Sequence, residues 1–290
     1  MVVALLGLTA LTLWAWQQRA ATLSGGWHEQ LLAGVVLSVC SLFAYGARFR
    51  RVMRLLDLDL NRLESLRIVS FAVFCQFFLP VGAGAEIAKF FKLRGLAPQR
   101  RALISAAGIV LEHLLGLVAL VTTASVLFAV LRPFAIEVDV QLLALGVLVI
   151  VALAATILLR RQRAQGLDTR QLVARLRAHK WDAALALVWS VLMHVLLAAA
   201  VYVGSLGWEM TLGYWQILLV LSAAAVFQAV PANLLGLGVA DVAGSGLYVA
   251  LGLPLSSALV LVSLLYGYRL LIALLGGLWE LATVPRVSNP

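Results

Sequence analysis

Apolar residues run without a charged break, or nearly so, over about 1–17, 31–47, 102–131, 140–159, 183–203 and 255–282. Each run supplies about the 20 residues that a helix needs to cross a bilayer. Two further regions, 68–93 and 214–252, are apolar but interrupted. The first carries Pro80-Val81-Gly82-Ala83-Gly84-Ala85-Glu86, and the second Pro231 followed by Gly236-Leu237-Gly238-Val239-Ala240-Asp241. Each interruption thus passes from a proline through a Gly-x-Gly pair to an acid. A helix over Ile68–Leu79 would reach only ~18 Å, short of a ~30 Å hydrocarbon core. That segment is therefore predicted to dip into the membrane, turn at Pro80–Gly84 and return. Non-helical backbone at membrane depth is tolerated where it is buried in protein or lines a cavity. Paired breaks in two halves of a chain point to a central transport site.

Charge sets the orientation. Arg48, Arg50, Arg51, Arg54, Arg62 and Arg67 precede the first broken region, and Lys92, Arg94, Arg100 and Arg101 follow it. Basic flanks on both sides place both ends in the cytoplasm, so the segment is re-entrant. Arg160, Arg161, Arg163, Arg170, Arg175, Arg177 and Lys180 form a third basic cluster. The loops around 18–30, 132–139 and 204–213 hold only Arg19 and Arg132 as bases and face outward. The second broken region then enters and leaves from the outer side. The expected fold is an all-α polytopic membrane protein with about six full transmembrane helices and two re-entrant broken-helix elements. These form an inverted repeat over about 31–131 and 183–282 within a single membrane domain, 1–290. Residues 160–182 are expected to form a basic interfacial helix on the cytoplasmic side, capped by Asp168-Thr169. Both termini are expected in the cytoplasm. Trp27, Trp181, Trp208 and Trp279 fall near span ends, where an aromatic belt is expected.

Composition agrees: 63% of the 290 residues are hydrophobic and 12% charged, too apolar for a soluble core. The formal charge of +9 sits in arginines between spans, the pattern of loops facing anionic headgroups and not of a nucleic-acid binder. Cys40 and Cys75, both in apolar runs, read as small core residues. No basic residue precedes the first apolar run, so a cleaved signal peptide is not expected.

Ionisable groups inside spans are expensive and therefore informative. Arg269 lies near the middle of the last run, and Glu112 and His113 near the middle of 102–131. Gly108, Glu112 and Gly116 share one helix face. Glu86 and Lys89 open the half-helix after the first break, and Asp241 opens the one after the second. Glu86, Lys89, Glu112, Asp241 and Arg269 are the candidate binding residues for an anionic headgroup, with Pro80, Gly82, Gly84, Pro231, Gly236 and Gly238 shaping the breaks. Plainer readings exist for each. Glu86 and Asp241 would complement the positive ends of half-helices, Lys89 would snorkel to the interface, and Glu112 would pair with Arg269. His113 points some 100° from Glu112, which favours a packed or hydrogen-bonded histidine over a proton relay.

The Pro-x-Gly-x-Gly-x-Glu-x-x-Lys stretch at 80–89 resembles a motif of the membrane domain of lysylphosphatidylglycerol synthases, the flippase-like or UPF0104 group. Gly236-Leu237-Gly238-Val239-Ala240-Asp241, followed by Tyr268-Arg269 and Gly276-Gly277, resembles the second signature of that group. The resemblance covers nearly the whole chain. It implies a lipid translocator of a bacterial or archaeal cytoplasmic membrane. In bifunctional members a soluble lysyl-transferase domain follows. Here the chain stops at Pro290, so translocation without synthesis is expected. Two positions depart from the family pattern: His113 stands where an arginine is common, and Ala240-Asp241 where Arg-Glu is common. Each removes a cation from the presumed cavity.

The leading expectation is therefore a carrier that moves a polar-headed lipid, anionic or aminoacylated, between leaflets. Its partners are membrane lipids with anionic headgroups, and no cofactor, metal or nucleic acid is expected. A second possibility is a non-catalytic membrane partner of a separate lipid-modifying enzyme, docking through 160–180. A third is a polytopic transferase acting on lipid-linked substrates. For the third, Asp57-Leu58-Asp59 and Glu137-Val138-Asp139 are the only acid pairs to hold a metal, and no phosphate loop or nucleophile triad accompanies them. A homo-oligomer is also open, because Gly276-Gly277 permits packing within or between chains.

Overall fold

The computed structural model describes residues 26–79, 83–96, 102–132, 174, 177–208, 210–227, 233–234 and 237–283. The described residues are helical apart from turns and a two-residue antiparallel ladder, in which Asn233 pairs with Gly238 and Leu234 with Leu237. The helices are α1 (Trp27–Arg54), α2 (Arg62–Phe78), α3 (Gly84–Leu96), α4 (Ala102–Leu131), α5 (Lys180–Ser205), α6 (Tyr214–Val226), α7 (Val239–Ala250) and α8 (Leu255–Thr283). Four of them, α1, α4, α5 and α8, are long and apolar enough to cross a membrane. The expected spans over 1–17 and 140–159 lie outside the described residues, as do Pro80, Gly82, Pro231, Gly236, Glu137-Val138-Asp139 and most of 160–182.

The two broken regions are helical hairpins. At ~1.5 Å per residue, α2 and α3 reach ~25 and ~20 Å, and neither crosses alone. α2 starts earlier than the apolar pattern indicated, because Asn61 and Glu64 form a reciprocal capping box. The Asn61 side chain accepts from the Glu64 N–H at 2.8 Å, and Glu64 accepts from the Asn61 N–H at 2.9 Å. Gly84 opens α3 directly against the end of α2. A Cβ there would lie 2.5 Å from the Cys75 carbonyl oxygen, so only glycine permits this approach. The hairpin returns to the face it left. Arg67, near the start of α2, and Lys92, near the end of α3, both bind Glu280 at the end of α8.

α1 and α5 lie side by side and antiparallel. Arg51 near the end of α1 bonds Asp182 near the start of α5 at 2.6 Å, while Gly207 just beyond α5 packs on Trp27 at the start of α1. Around this pair, α2 packs on α8 and α3, α4 on α3 and α6, and α7 on α6 and α8. Close helix approach rests on small residues, as expected where lipid provides no hydrophobic drive between helices. Gly276 and Gly277 of α8 sit against the Ser70 backbone and the Phe74 ring of α2, and Gly34 and Gly204 clasp the Tyr268 hydroxyl. Gly276-Gly277 thus serves packing within the chain. Two further expectations are corrected. Trp208 is fully buried, held in the 3₁₀ turn that follows α5, and is not a belt residue. Cys40 faces outward, whereas Cys75 is buried.

Candidate functional site

Three ionised side chains meet with almost no exposure. Glu112 of α4 is wholly buried, Lys89 of α3 is 1% exposed and Arg48 of α1 is 7% exposed. Glu112 Oε2 accepts from Lys89 Nζ at 2.7 Å, and its Oε1 accepts from the Arg48 guanidinium. The Lys89 ammonium also lies over the Tyr45 and Phe49 rings, 5.2 and 5.8 Å from their centroids. Gly116, one turn beyond Glu112, makes room: a Cβ there would sit 3.2 Å from the Arg48 guanidinium. Lys89 therefore does not snorkel, and Glu112 does not pair with Arg269. The apolar stripe of α4 gave the face of Glu112 but not the helix opposite it.

Glu86, one turn before Lys89, faces outward to His113 of α4, with Oε1 3.0 Å from the ring Nε2. His113 Nδ1 lies 2.9 Å from the Ile109 carbonyl oxygen. In the second half, Asp241 caps its own half-helix. Its Oδ2 accepts from the Gly238 N–H at 2.8 Å, and its Oδ1 lies 3.8 Å from Arg269 Nη1. Asp241 thus complements the half-helix N-terminus, as the plainer reading held, and faces Arg269 as well. Glu86 and Asp241 are each the third residue of their half-helix.

The two halves of this charged constellation adjoin. His194 of α5 is within electrostatic reach of both Arg48 and Arg269. Phe77, in the last turn of α2, lies with its ring 5.4 Å from that of Tyr266 of α8, tilted by 44°, and the Tyr266 phenol is in turn within reach of Asp241. A small cavity beside Arg269 and Asp241 is lined by Tyr248, Gly244 and apolar residues of α6 and α8. Two donors in the constellation are unmet among the described residues. Arg48 Nε has no hydrogen-bond partner among the described residues, and the only carboxylate that Arg269 meets among them stands 3.8 Å away. Three cations, Arg48, Lys89 and Arg269, here face three carboxylates, Glu86, Glu112 and Asp241.

Two members escaped the sequence reading. Arg48 was grouped with a cytoplasmic loop because the apolar run ends beside it. Its apolar neighbours Ala44, Tyr45 and Val52 on one face were a signal, but Arg51 sits in a similar register. His194 was visible as a lone ionisable group within 183–203. Asp57-Leu58-Asp59 shows no metal geometry: Asp59 bonds Arg54 at 3.0 Å, Asp57 takes a left-handed turn at φ 58°, and the described residues contain no cluster of three metal-ligating side chains.

Long apolar helices, short hairpin helices that return to their own face, and a buried charged centre between them define a multi-pass membrane protein with a built polar site. The chain belongs to the lysylphosphatidylglycerol synthase TM region family, whose model matches residues 1–277. This makes it a membrane protein of a lipid-handling family. No curated protein and no solved structure is significantly similar to it.

Proposed function

We propose that the chain is a flippase-like carrier that moves a polar-headed lipid between leaflets through the charged centre. The observation that carries this reading is the buried set Arg48–Glu112–Lys89 beside Arg269–Asp241, placed where two half-helices begin. A structural ion pair needs neither a third charge nor an unpaired guanidinium N–H. A phosphate-bearing headgroup would accept from Arg48 Nε and Arg269 and from half-helix N–H groups, while the tails stay in lipid. The gain in rate would come from replacing headgroup hydration with fixed dipoles and charges instead of hydrocarbon.

Alternating access is supported by the packing pattern. Exchanging α1 with α5, α2 with α6, α3 with α7 and α4 with α8 maps the close helix pairs onto one another: α2 on α8 becomes α6 on α4, and α3 on α4 becomes α7 on α8. The antiparallel run of α1 and α5 is what an inverted repeat requires. Rocking of one half against the other around the fixed site would then open it to each leaflet in turn.

The test is translocation of headgroup-labelled anionic, zwitterionic and aminoacylated lipids in proteoliposomes. Wild type is expected to move one class, and Arg269→Ala to lose at least about tenfold of that rate, as removal of a ~1.4 kcal/mol charge-assisted contact would give. Equal, slow leakage in both folded proteins would refute the carrier.

A further inference from the structure

The carrier reading leaves one pair of groups without a task. Glu86 and His113 lie beside the buried triad but, with side chains 34% and 54% exposed, they are not enclosed as the triad is. Their contacts bear on a proton count. The Ile109 carbonyl can only accept, so His113 Nδ1, 2.9 Å away, must carry a proton. Nε2 then faces a Glu86 oxygen at 3.0 Å. A neutral imidazole lone pair and an ionised carboxylate are both acceptors and cannot bond each other. A 3.0 Å contact between them is favourable only with one additional proton, on Nε2 as imidazolium or on the carboxyl group.

That proton decides the charge of the whole centre. Three cations face three carboxylates in Arg48, Lys89, Arg269, Glu86, Glu112 and Asp241, so the set without it is balanced. We propose that Glu86 and His113 form a proton-loading site, and that its occupied state gives the centre the net positive charge that admits a phosphate-bearing headgroup. The proton would enter with the headgroup and leave with it, so lipid movement would be coupled to one proton. This inference rests on the carrier reading and adds an energy source to it.

The charges around the pair fit this role. Lys89 on the same helix faces both groups, and Glu112 faces His113. Arg48 of α1 bonds Glu112, and His194 of α5 is within electrostatic reach of Arg48. Of the other helices that pack on α3 and α4, α6 carries no charged residue, and the charges of α2 (Arg62, Glu64 and Arg67) all lie in its first two turns. The pair is thus the accessible, exchangeable member of a centre whose other ions are locked together. His113→Arg would supply the positive charge permanently, without a proton to release.

Two readouts test this on the full chain in nanodiscs and proteoliposomes. In ¹⁵N NMR with His113 assigned through His113→Gln, His113 of the wild type should carry two N–H protons at pH 6. It should lose one at higher pH, and Glu86→Gln should move that loss to lower pH. Translocation of the headgroup-labelled lipid should fall at least about tenfold from pH 6 to pH 9, while His113→Arg should vary less than about twofold. A His113 with one N–H proton and a Glu86 carboxylate that stays ionised in ¹³C NMR at every pH would overturn the proton site, whether or not lipid moves. A titrating His113 with pH-independent wild-type translocation would overturn the coupling and leave the carrier standing. No movement of any lipid at any pH would remove the carrier and the coupling with it.

Discussion

Glu112 accepts from an arginine and a lysine with almost no surface exposed, so the three ions stand or fall together. Removing one partner of a buried ionic set leaves the others uncompensated, whereas replacing the set by apolar groups of similar volume is often neutral. Glu112→Gln should therefore lower unfolding stability in detergent by about 3–5 kcal/mol, because Arg48 and Lys89 would then face each other without a carboxylate. Arg48→Met/Lys89→Met/Glu112→Met should stay within about 1–2 kcal/mol of wild type. If both variants unfold alike, the triad is not a closed set. At this scale the sequence was informative about burial and poor about partners. Glu112 and Arg269 stood out as charges in apolar runs, which any single chain reveals. That Glu112 meets Arg48 and Lys89 depends on which helices pack together, and no periodicity along one helix encodes that.

At the scale of elements, the hairpin of α2 and α3 is held at three places: its cap, its tip and its mouth. The cap is the Asn61–Glu64 box, and Asn61→Ala should cost about 1 kcal/mol, read from the same unfolding curves. The tip depends on Gly84. Its Cβ would press on a backbone carbonyl, which cannot rotate away as a side chain would, so Gly84→Ala should destabilise by about 1–3 kcal/mol. The mouth is the Glu280 carboxylate, which gathers Arg67 and Lys92. Glu280→Gln should speed amide hydrogen exchange across 62–96 and leave α5 unaffected; unchanged exchange in the hairpin would show that packing on α8 alone closes it. The break and its re-entrant character were legible because a short apolar segment with basic flanks on both sides has few other solutions. The start of α2 was not, since Arg62-Leu63-Glu64-Ser65 lacks apolar periodicity and enters the helix through its cap. Trp208 was misplaced for a related reason: nearness to a span end does not distinguish a ring at the interface from one folded back under the helix.

At the scale of the molecule, the two halves present matching half-helices with an acid at the third position, and the charges they bring are not the same. The first half supplies a locked triad and a partly exposed Glu86–His113 pair, and the second a loosely paired Arg269. Such asymmetry suits a site that must hold a headgroup firmly enough to desolvate it and loosely enough to release it. In the proposed carrier the buried charges serve the headgroup and not the fold. Lipid translocation in proteoliposomes, comparing wild type with Arg48→Met/Lys89→Met/Glu112→Met after both are shown to be folded, tests it most directly. A stable but inactive variant is expected. A folded variant that moves lipid at the wild-type rate would contradict it.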